Sequence, residues 1–248
     1  MALQEECEKQ GNFLFKYRGI LPLILLGTSL AVFIHAQYYD TARENIISFN
    51  NLLLSGLAVS FAGFIIRIIT VGYSASHTSG RNTDRQVADE LNTTGIYSIV
   101  RHPLYLGNFL MWLGPAIVIQ KIWFIIAFIL AFWVYYERIM FAEEQFLRRK
   151  FGEFYLKWAD KTPAFIISLK NYTPAITRFS WKKVLRKEKN GFVAVFIVFY
   201  VFNSIREYIL HQVPDTSSWL LYVLIFSIIF YIIIKSTLKF TSFFASDW

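Results

Sequence analysis

Six long apolar runs, separated by short polar stretches, constrain this chain more than any other feature. They cover approximately Ile20 to Tyr38, Phe49 to Tyr73, Tyr105 to Gln120, Ile122 to Tyr136, Phe192 to Leu210 and Trp219 to Ile234. At 1.5 Å rise per residue, a helix of about 20 residues crosses roughly 30 Å of hydrocarbon. No water is available there to pair an open backbone, so spanning segments of this length and continuous apolarity must be helical. With 55% hydrophobic residues and a mean hydropathy of +0.42 over 248 residues, the chain lies far from a soluble globular balance. The expected fold is all-α: a polytopic membrane protein of about six transmembrane helices. Only Gln120 and Lys121 separate the third run from the fourth, which predicts a tight helical hairpin.

Charge orients the spans. Segments 1–18, 74–104 and 137–190 and the tail from Lys235 hold 21 of the 25 Lys and Arg, while the intervening connections carry only Arg43, Lys121 and Arg206. The positive-inside rule then places both termini and both large polar segments in the cytoplasm. The charged opening MALQEECEKQGNFLFKYR reaches its apolar run too late for a cleaved signal peptide, so Ile20 to Tyr38 is expected to remain as a span. A single cysteine, Cys7, excludes an intrachain disulfide or a cysteine metal site. No metal centre and no nucleic-acid partner are expected.

Three regions follow: an N-terminal pair of spans with a polar loop (1–90), a central unit (91–168), and a basic connector with a C-terminal pair (169–248). The loop SASHTSGRNTDRQVADELN is rich in turn formers. The connector ITRFSWKKVLRKEKNG interleaves cations with Phe179, Trp181 and Leu185, a composition suited to lying on an anionic membrane surface. Arg67, within the second span, requires a protein or aqueous surrounding, a headgroup contact, or a snorkelling route to the nearby end; snorkelling is the simplest.

Two charged clusters flank the predicted hairpin. In TTGIYSIVRHPLYLGNF, residues 93–109, Pro103 suits the first turn of a helix, with Arg101 and His102 just outside it. The unpaired amides and the positive dipole end at that entrance favour an anion. Tyr105 adds a ring and hydroxyl, and Gly107 leaves its backbone open to close approach. In YERIMFAEEQFLRRKFGEFYLKW, residues 136–158, Glu137, Glu143 and Glu144 share a helical face with Arg148 one turn beyond. A short hairpin brings the entrance of one helix and the exit of the other to the same side. Arg101, His102 and Tyr105 should therefore face Arg138, Glu143 and Glu144 across one pocket.

The pattern G-x-Y-x-x-x-R-H-P-x-Y-x-G at Gly95 to Gly107, followed by E-E-x-x-L-x-x-x-F-G-x-x-Y at Glu143 to Tyr155, resembles the isoprenylcysteine carboxyl methyltransferase and phospholipid methyltransferase superfamily over residues 91–165. Pro163 and Phe165 resemble that family's closing Val-Pro stretch, although Ile167 and Ser168 stand where a second proline is expected. The resemblance implies a membrane-integral methyltransferase that uses S-adenosylmethionine without a soluble nucleotide-binding domain. It also implies that Gly95, Tyr97, Val100, Arg101, His102, Tyr105, Gly107 and Glu144 bind the cofactor. The stretch from Gly11 to Arg18 before LPLILL is similar to a bacterial branch that methylates the phosphate of lipid A, which implies a bacterial inner membrane and a lipid acceptor drawn from the bilayer. Arg138, Arg101 and Glu143 are then the catalytic candidates, and Arg67, Arg138 and Arg148 the substrate contacts. The competing acceptors are an isoprenylcysteine carboxylate and the amine of phosphatidylethanolamine. A reductase using NADPH and a non-enzymatic membrane scaffold are the competing classes. His35, His77 and His211 fall at span ends or in a loop, without an assigned role.

Overall fold

The computed structural model describes residues 2–39, 49–75, 86 and 88–240; Arg43 and His77 lie outside the described residues. Every regular element among them is helical: α1 Leu3–Lys16, α2 Ile20–Tyr39, α3 Phe49–Tyr73, α4 Pro103–Val118, α5 Ile122–Phe151, α6 Glu153–Ala159, α7 Trp181–His211 and α8 Trp219–Phe240, with short 3-10 turns at Gly95–Ser98 and Leu169–Asn171. Five helices are long and apolar enough to cross a membrane, and α4 is a shorter apolar helix. This matches the all-α polytopic expectation.

The hairpin forms as read. Pro103 occupies the start of α4, and the chain reverses between Val118 and Ile122 through Gln120 at a φ of 60°. The α5 helix then continues for 30 residues, about 45 Å, so roughly its last third lies beyond a 30 Å hydrocarbon layer. That extension carries both glutamates of the second motif. It is also the platform for α1, an element that the charge pattern of residues 1–18 did not reveal. Gly11 lies against the Arg138 carbonyl, where a Cβ would come within 2.0 Å. The Tyr135 hydroxyl donates to the Leu14 carbonyl at 3.1 Å, and Arg149 donates twice to Glu8 at 3.0 and 2.5 Å.

The connector departs from expectation. It is not a separate surface segment from 176 to 191, because Ser180 caps a helix that starts at Trp181 and runs unbroken for 31 residues. The Ser180 hydroxyl accepts from the Lys183 amide, and nothing downstream interrupts the backbone ladder. Upstream, the Ser180 amide donates to the Gly72 carbonyl at 3.0 Å, and the Phe179 ring packs where a Cβ on Gly72 would stand.

The closest packing joins α3 and α4 antiparallel. A Cβ on Gly56 would approach the Gly114 carbonyl to 2.6 Å and one on Gly114 the Gly56 carbonyl to 2.2 Å; one on Gly63 would approach the Gly107 carbonyl to 2.5 Å. Midway, the Ser60 hydroxyl donates to the Met111 carbonyl at 2.8 Å. Small residues in register bring two backbones into contact, the arrangement that drives helix association where lipid is as apolar as the side chains. Around this pair an aromatic core links the other helices. Phe33 of α2 meets Phe202 of α7 at 4.8 Å, and Phe132 stacks on Tyr136 at 4.1 Å within α5.

Gly63→Leu forces α3 from α4 and is expected to cost about 1–3 kcal/mol, the usual penalty for overpacking. Thermal unfolding in detergent should register a clear loss of stability. Gly27→Leu, at a position with no neighbour within 4 Å, should leave the midpoint unchanged.

Candidate functional site

The polar end of the bundle encloses a cavity of about 900 Å³ bordered by α2, α3, α4, α5, α7 and residues 88–92, a size at the upper end for small-molecule sites. Its character changes with depth. The outer chamber carries Tyr97, Arg101, His102, Tyr105, Glu143 and Trp158; the inner arm carries Leu23, Trp112, Pro115, Ala194, Val198 and Phe199.

His102 organises the outer chamber. It is 6% exposed and precedes α4 with a non-helical backbone that Pro103 enforces. Its Nε2 lies 2.9 Å from Glu144 Oε1 and its Nδ1 3.7 Å from Glu143 Oε2, so one ring bridges consecutive carboxylates. Arg101 Nε approaches the same Glu144 oxygen at 3.3 Å. Tyr105 stacks against the His102 ring with centroids 5.7 Å apart and packs on Tyr136 at 5.1 Å. The expected meeting of the α4 entrance with the α5 exit is therefore present.

A backbone brace holds the entrance in place. Arg101 and His102 donate their amides to Pro163 and Ala164 at 2.9 and 3.2 Å, and Ser168 donates to Ile99 at 3.0 Å. Gly95, with a φ of 61°, donates to Thr173 at 2.8 Å. The buried Ser98 hydroxyl donates to the Gly95 carbonyl at 2.7 Å and accepts from the Thr173 amide at 2.9 Å. Thus the stretch after α6 covers the motif whether or not a second proline stands at 167 or 168.

Burial, then the Glu143 carboxylate, raises the Tyr97 phenol well above its ordinary pKa. Burial, then Glu144, does the same for Tyr155. Both phenols stay protonated and available as donors at neutral pH. Arg101 Nε and the Tyr155 hydroxyl are buried beside Glu144, yet neither closes a hydrogen bond of normal geometry. Arg101, Tyr155, the Glu143 carboxylate and the aromatic faces of Tyr97, Tyr105 and Trp158 line the cavity as a set that fits S-adenosylmethionine. The cation and hydroxyl suit its carboxylate and hydroxyls, and the carboxylate suits its ammonium and sulfonium charges.

Several sequence-assigned residues stand elsewhere. Arg138 and Arg148 do not border the cavity: Arg138 faces Glu137 at 3.6 Å and Arg148 is exposed. Each is five residues from Glu143, about 140° around the helix. Glu137, six residues before Glu143 and about 120° around the helix, is half-exposed. Gly107 makes room for the Gly63 carbonyl and the Arg67 stem, not for a cofactor, since a Cβ there would lie 2.9 and 2.5 Å from them. Val100 is fully buried, and Gly95 packs against Ala175; both shape the entrance from behind. Glu144 stands behind His102. His35 is exposed beside Tyr39, and His211 pairs with Glu207 at 3.5 Å; neither borders the cavity.

Arg67 does border it and does not snorkel. Its Nε and Nη2 donate to the two oxygens of Glu188 at 2.8 and 2.7 Å, and its Nη1 donates to Asn108 at 2.5 Å. Glu188, 3% exposed, is the one acid in a strongly basic connector. The only available signal was Arg67 itself, an intramembrane cation in need of a counter-charge. Arg18 and Lys187 also border the cavity, and nothing in their local sequence distinguished them from other interfacial cations.

A family model described as phospholipid methyltransferase matches residues 52–154. Protein-S-isoprenylcysteine O-methyltransferase B of Arabidopsis thaliana is 36% identical over 114 residues, covering 44% of this chain and 56% of that protein. Protein-S-isoprenylcysteine O-methyltransferase of Schizosaccharomyces pombe is 30% identical over 152 residues, 59% of this chain and 62% of that protein. Cobalt-zinc-cadmium resistance protein CzcN of Cupriavidus metallidurans is 33% identical over 165 residues, 65% of this chain and 68% of that protein. The chain thus spans 56 to 68% of the length of these relatives. No solved structure matches it.

Ser98→Ala removes a hydroxyl that serves the buried Gly95 carbonyl and the Thr173 amide and is expected to destabilise the brace by about 0.5–1.5 kcal/mol. Limited proteolysis should cut faster near residues 168–176, where unchanged cleavage would show that the hydroxyl carries no share of the brace.

Proposed function

The chain belongs to the phospholipid methyltransferase family, and from that premise we propose that it is a membrane-integral O-methyltransferase that uses S-adenosylmethionine and acts on an anionic oxygen of a lipid-tailed acceptor. One observation carries the reading: a single cavity joins a chamber of paired acids and bases to an apolar arm. A soluble acceptor has no use for that arm, whereas a lipid can leave its tail there and present its headgroup above.

When bound, S-adenosylmethionine supplies an activated methyl group on a positively charged sulfur. Tyr97, Arg101, His102 and Tyr105 hold the cofactor in the outer chamber, with Glu143 facing its cationic part. Glu144 orients His102 and Arg101 from behind. With the cofactor bound, the methyl group would pass to an acceptor oxygen that is already ionised and the sulfur would keep the electron pair of the broken bond, so none of these residues has to remove a proton. Phosphate and carboxylate oxygens are already ionised at neutral pH, so catalysis rests on alignment and on exclusion of water by the apolar arm. An amine acceptor would need a base, a role open to Glu143.

Two acceptors fall within this chemistry. The N-terminal resemblance supports a lipid phosphate of the lipid A type, at the cytoplasmic face of a bacterial inner membrane. The relatives named for isoprenylcysteine support a prenylated cysteine carboxylate. Methyl transfer from labelled S-adenosylmethionine to a panel of lipid phosphates, prenylcysteines and phosphatidylethanolamine, followed by mass analysis, separates these acceptors. No transfer to any of them would remove the proposal.

Glu144→Gln withdraws the charge shared by His102 and Arg101. Loss of about 1.5–3 kcal/mol, the usual worth of a charged hydrogen bond, corresponds to roughly 10- to 100-fold weaker cofactor binding, measurable by calorimetry. Arg138→Ala, outside the cavity, should retain at least half of the wild-type turnover.

A further inference from the structure

The ion pair of Arg67 and Glu188 lies at the junction of the two parts of the cavity. On α7, Lys187 and Glu188 border the polar side while Ala194, Val198 and Phe199 border the apolar arm. On α4, Asn108 falls between His102 above and Trp112 below. This is the depth at which the headgroup of an acceptor with its tail in the arm must rest.

The pair is accommodated by the surrounding backbone. Gly107 leaves space for the Arg67 stem, and a Cβ on Gly191 would come within 3.4 Å of Glu188 Oε2. Three of the five guanidinium N–H groups are committed, one from Nε and one from each Nη. One N–H on each Nη remains, on a side chain that borders the cavity. Glu188 also lies outside the stretch matched by the family model, so α7 contributes to the site something that the shared motif does not.

We propose that Arg67 is the contact for the acceptor's oxyanion and that Glu188 is its positioning residue. The inference rests on the methyltransferase reading above and specifies its acceptor side. Glu188 fixes the guanidinium plane in two-point geometry, and Asn108 holds its third edge, so the two remaining N–H groups meet an oxygen pair of a carboxylate or phosphate. It also compensates most of the positive charge. An uncompensated guanidinium would bind the oxyanion tightly in the ground state and quench its lone pair, which strengthens binding without speeding transfer. The compensated one orients the oxygen and leaves it nucleophilic.

The test compares an S-farnesylated N-acetylcysteine with its methyl ester, and a long-chain alkyl phosphate with its dimethyl ester, for binding without cofactor. Cofactor affinity is followed in parallel as a fold control. The paired change Arg67→Met with Glu188→Met replaces a buried ion pair by apolar groups of similar volume, a change that folds well in other proteins. Wild-type protein should prefer the acid of at least one couple by more than tenfold, which also identifies the source of the anion. The double variant should lose that preference to a ratio near one while its S-adenosylmethionine affinity stays within twofold of wild type. Glu188→Gln alone should lower both KM and kcat for the preferred acceptor, by about fivefold or more each, a split that a merely structural pair would not produce. Retained discrimination in the double variant, or unchanged KM and kcat in Glu188→Gln, overturns the inference and leaves the methyltransferase reading intact. Failure of the wild-type protein to bind S-adenosylmethionine or to methylate any acceptor defeats that reading instead.

Discussion

The backbone contact between α3 and α4 is the constraint from which the site follows. Four glycines in antiparallel register remove the layer of side chains that normally separates two helices, and Ser60 ties the midpoint with a hydrogen bond to a main-chain oxygen. In a bilayer, where apolar side chains gain little by leaving lipid, this intimacy supplies the packing energy that a soluble core would draw from water. Its geometric consequence is that Arg67 emerges from α3 alongside Gly107, only five residues below His102. A cation is thereby delivered to the wall of the chamber without crossing the hydrocarbon.

The remaining elements act on that frame. The α5 helix extends beyond the bilayer so that Glu143 and Glu144 meet His102 from the far side. The brace from residues 163–173 satisfies the backbone of the motif. The α7 helix closes the last wall and supplies the counter-ion for Arg67. The pairs that His102 and Arg101 make with Glu144, and Arg67 with Glu188, each join distant parts of the chain, which makes the arrangement of the helices and the electrostatics of the cavity one problem. Moving any helix outward would strand a charge at low dielectric, a cost several times that of an ordinary lost contact.

The same logic accounts for the residues that lie away from the cavity. Arg138 looked suitable because it lies near the end of a span and beside an acid. Helical phase decides otherwise, since the face that carries Glu143, Phe146 and Leu147 to the cavity turns Arg138 toward Glu137. Gly107 was correctly singled out as a place of close approach, but the approaching group is a neighbouring helix. The connector was read by composition, which averages over residues, and so Glu188 disappeared among six cations.

What the sequence determined by itself was everything governed by local periodicity and solvent: helices across the membrane, the reversal at Gln120 and Lys121, the start of α4 at Pro103, and the pairing of the R-H-P and E-E motifs across a short hairpin. These depend on chain length between elements and on hydrogen bonds made within them, and both are legible along one dimension. The tertiary structure alone decided which cations face the cavity, that α1 docks on α5, and that Arg67 of the second predicted span finds Glu188 121 residues away. Such choices depend on the rotation of each helix about its axis. That rotation is set by contacts among helices distant in sequence, and apolarity that is nearly uniform around a membrane helix leaves little trace of it in the order of residues.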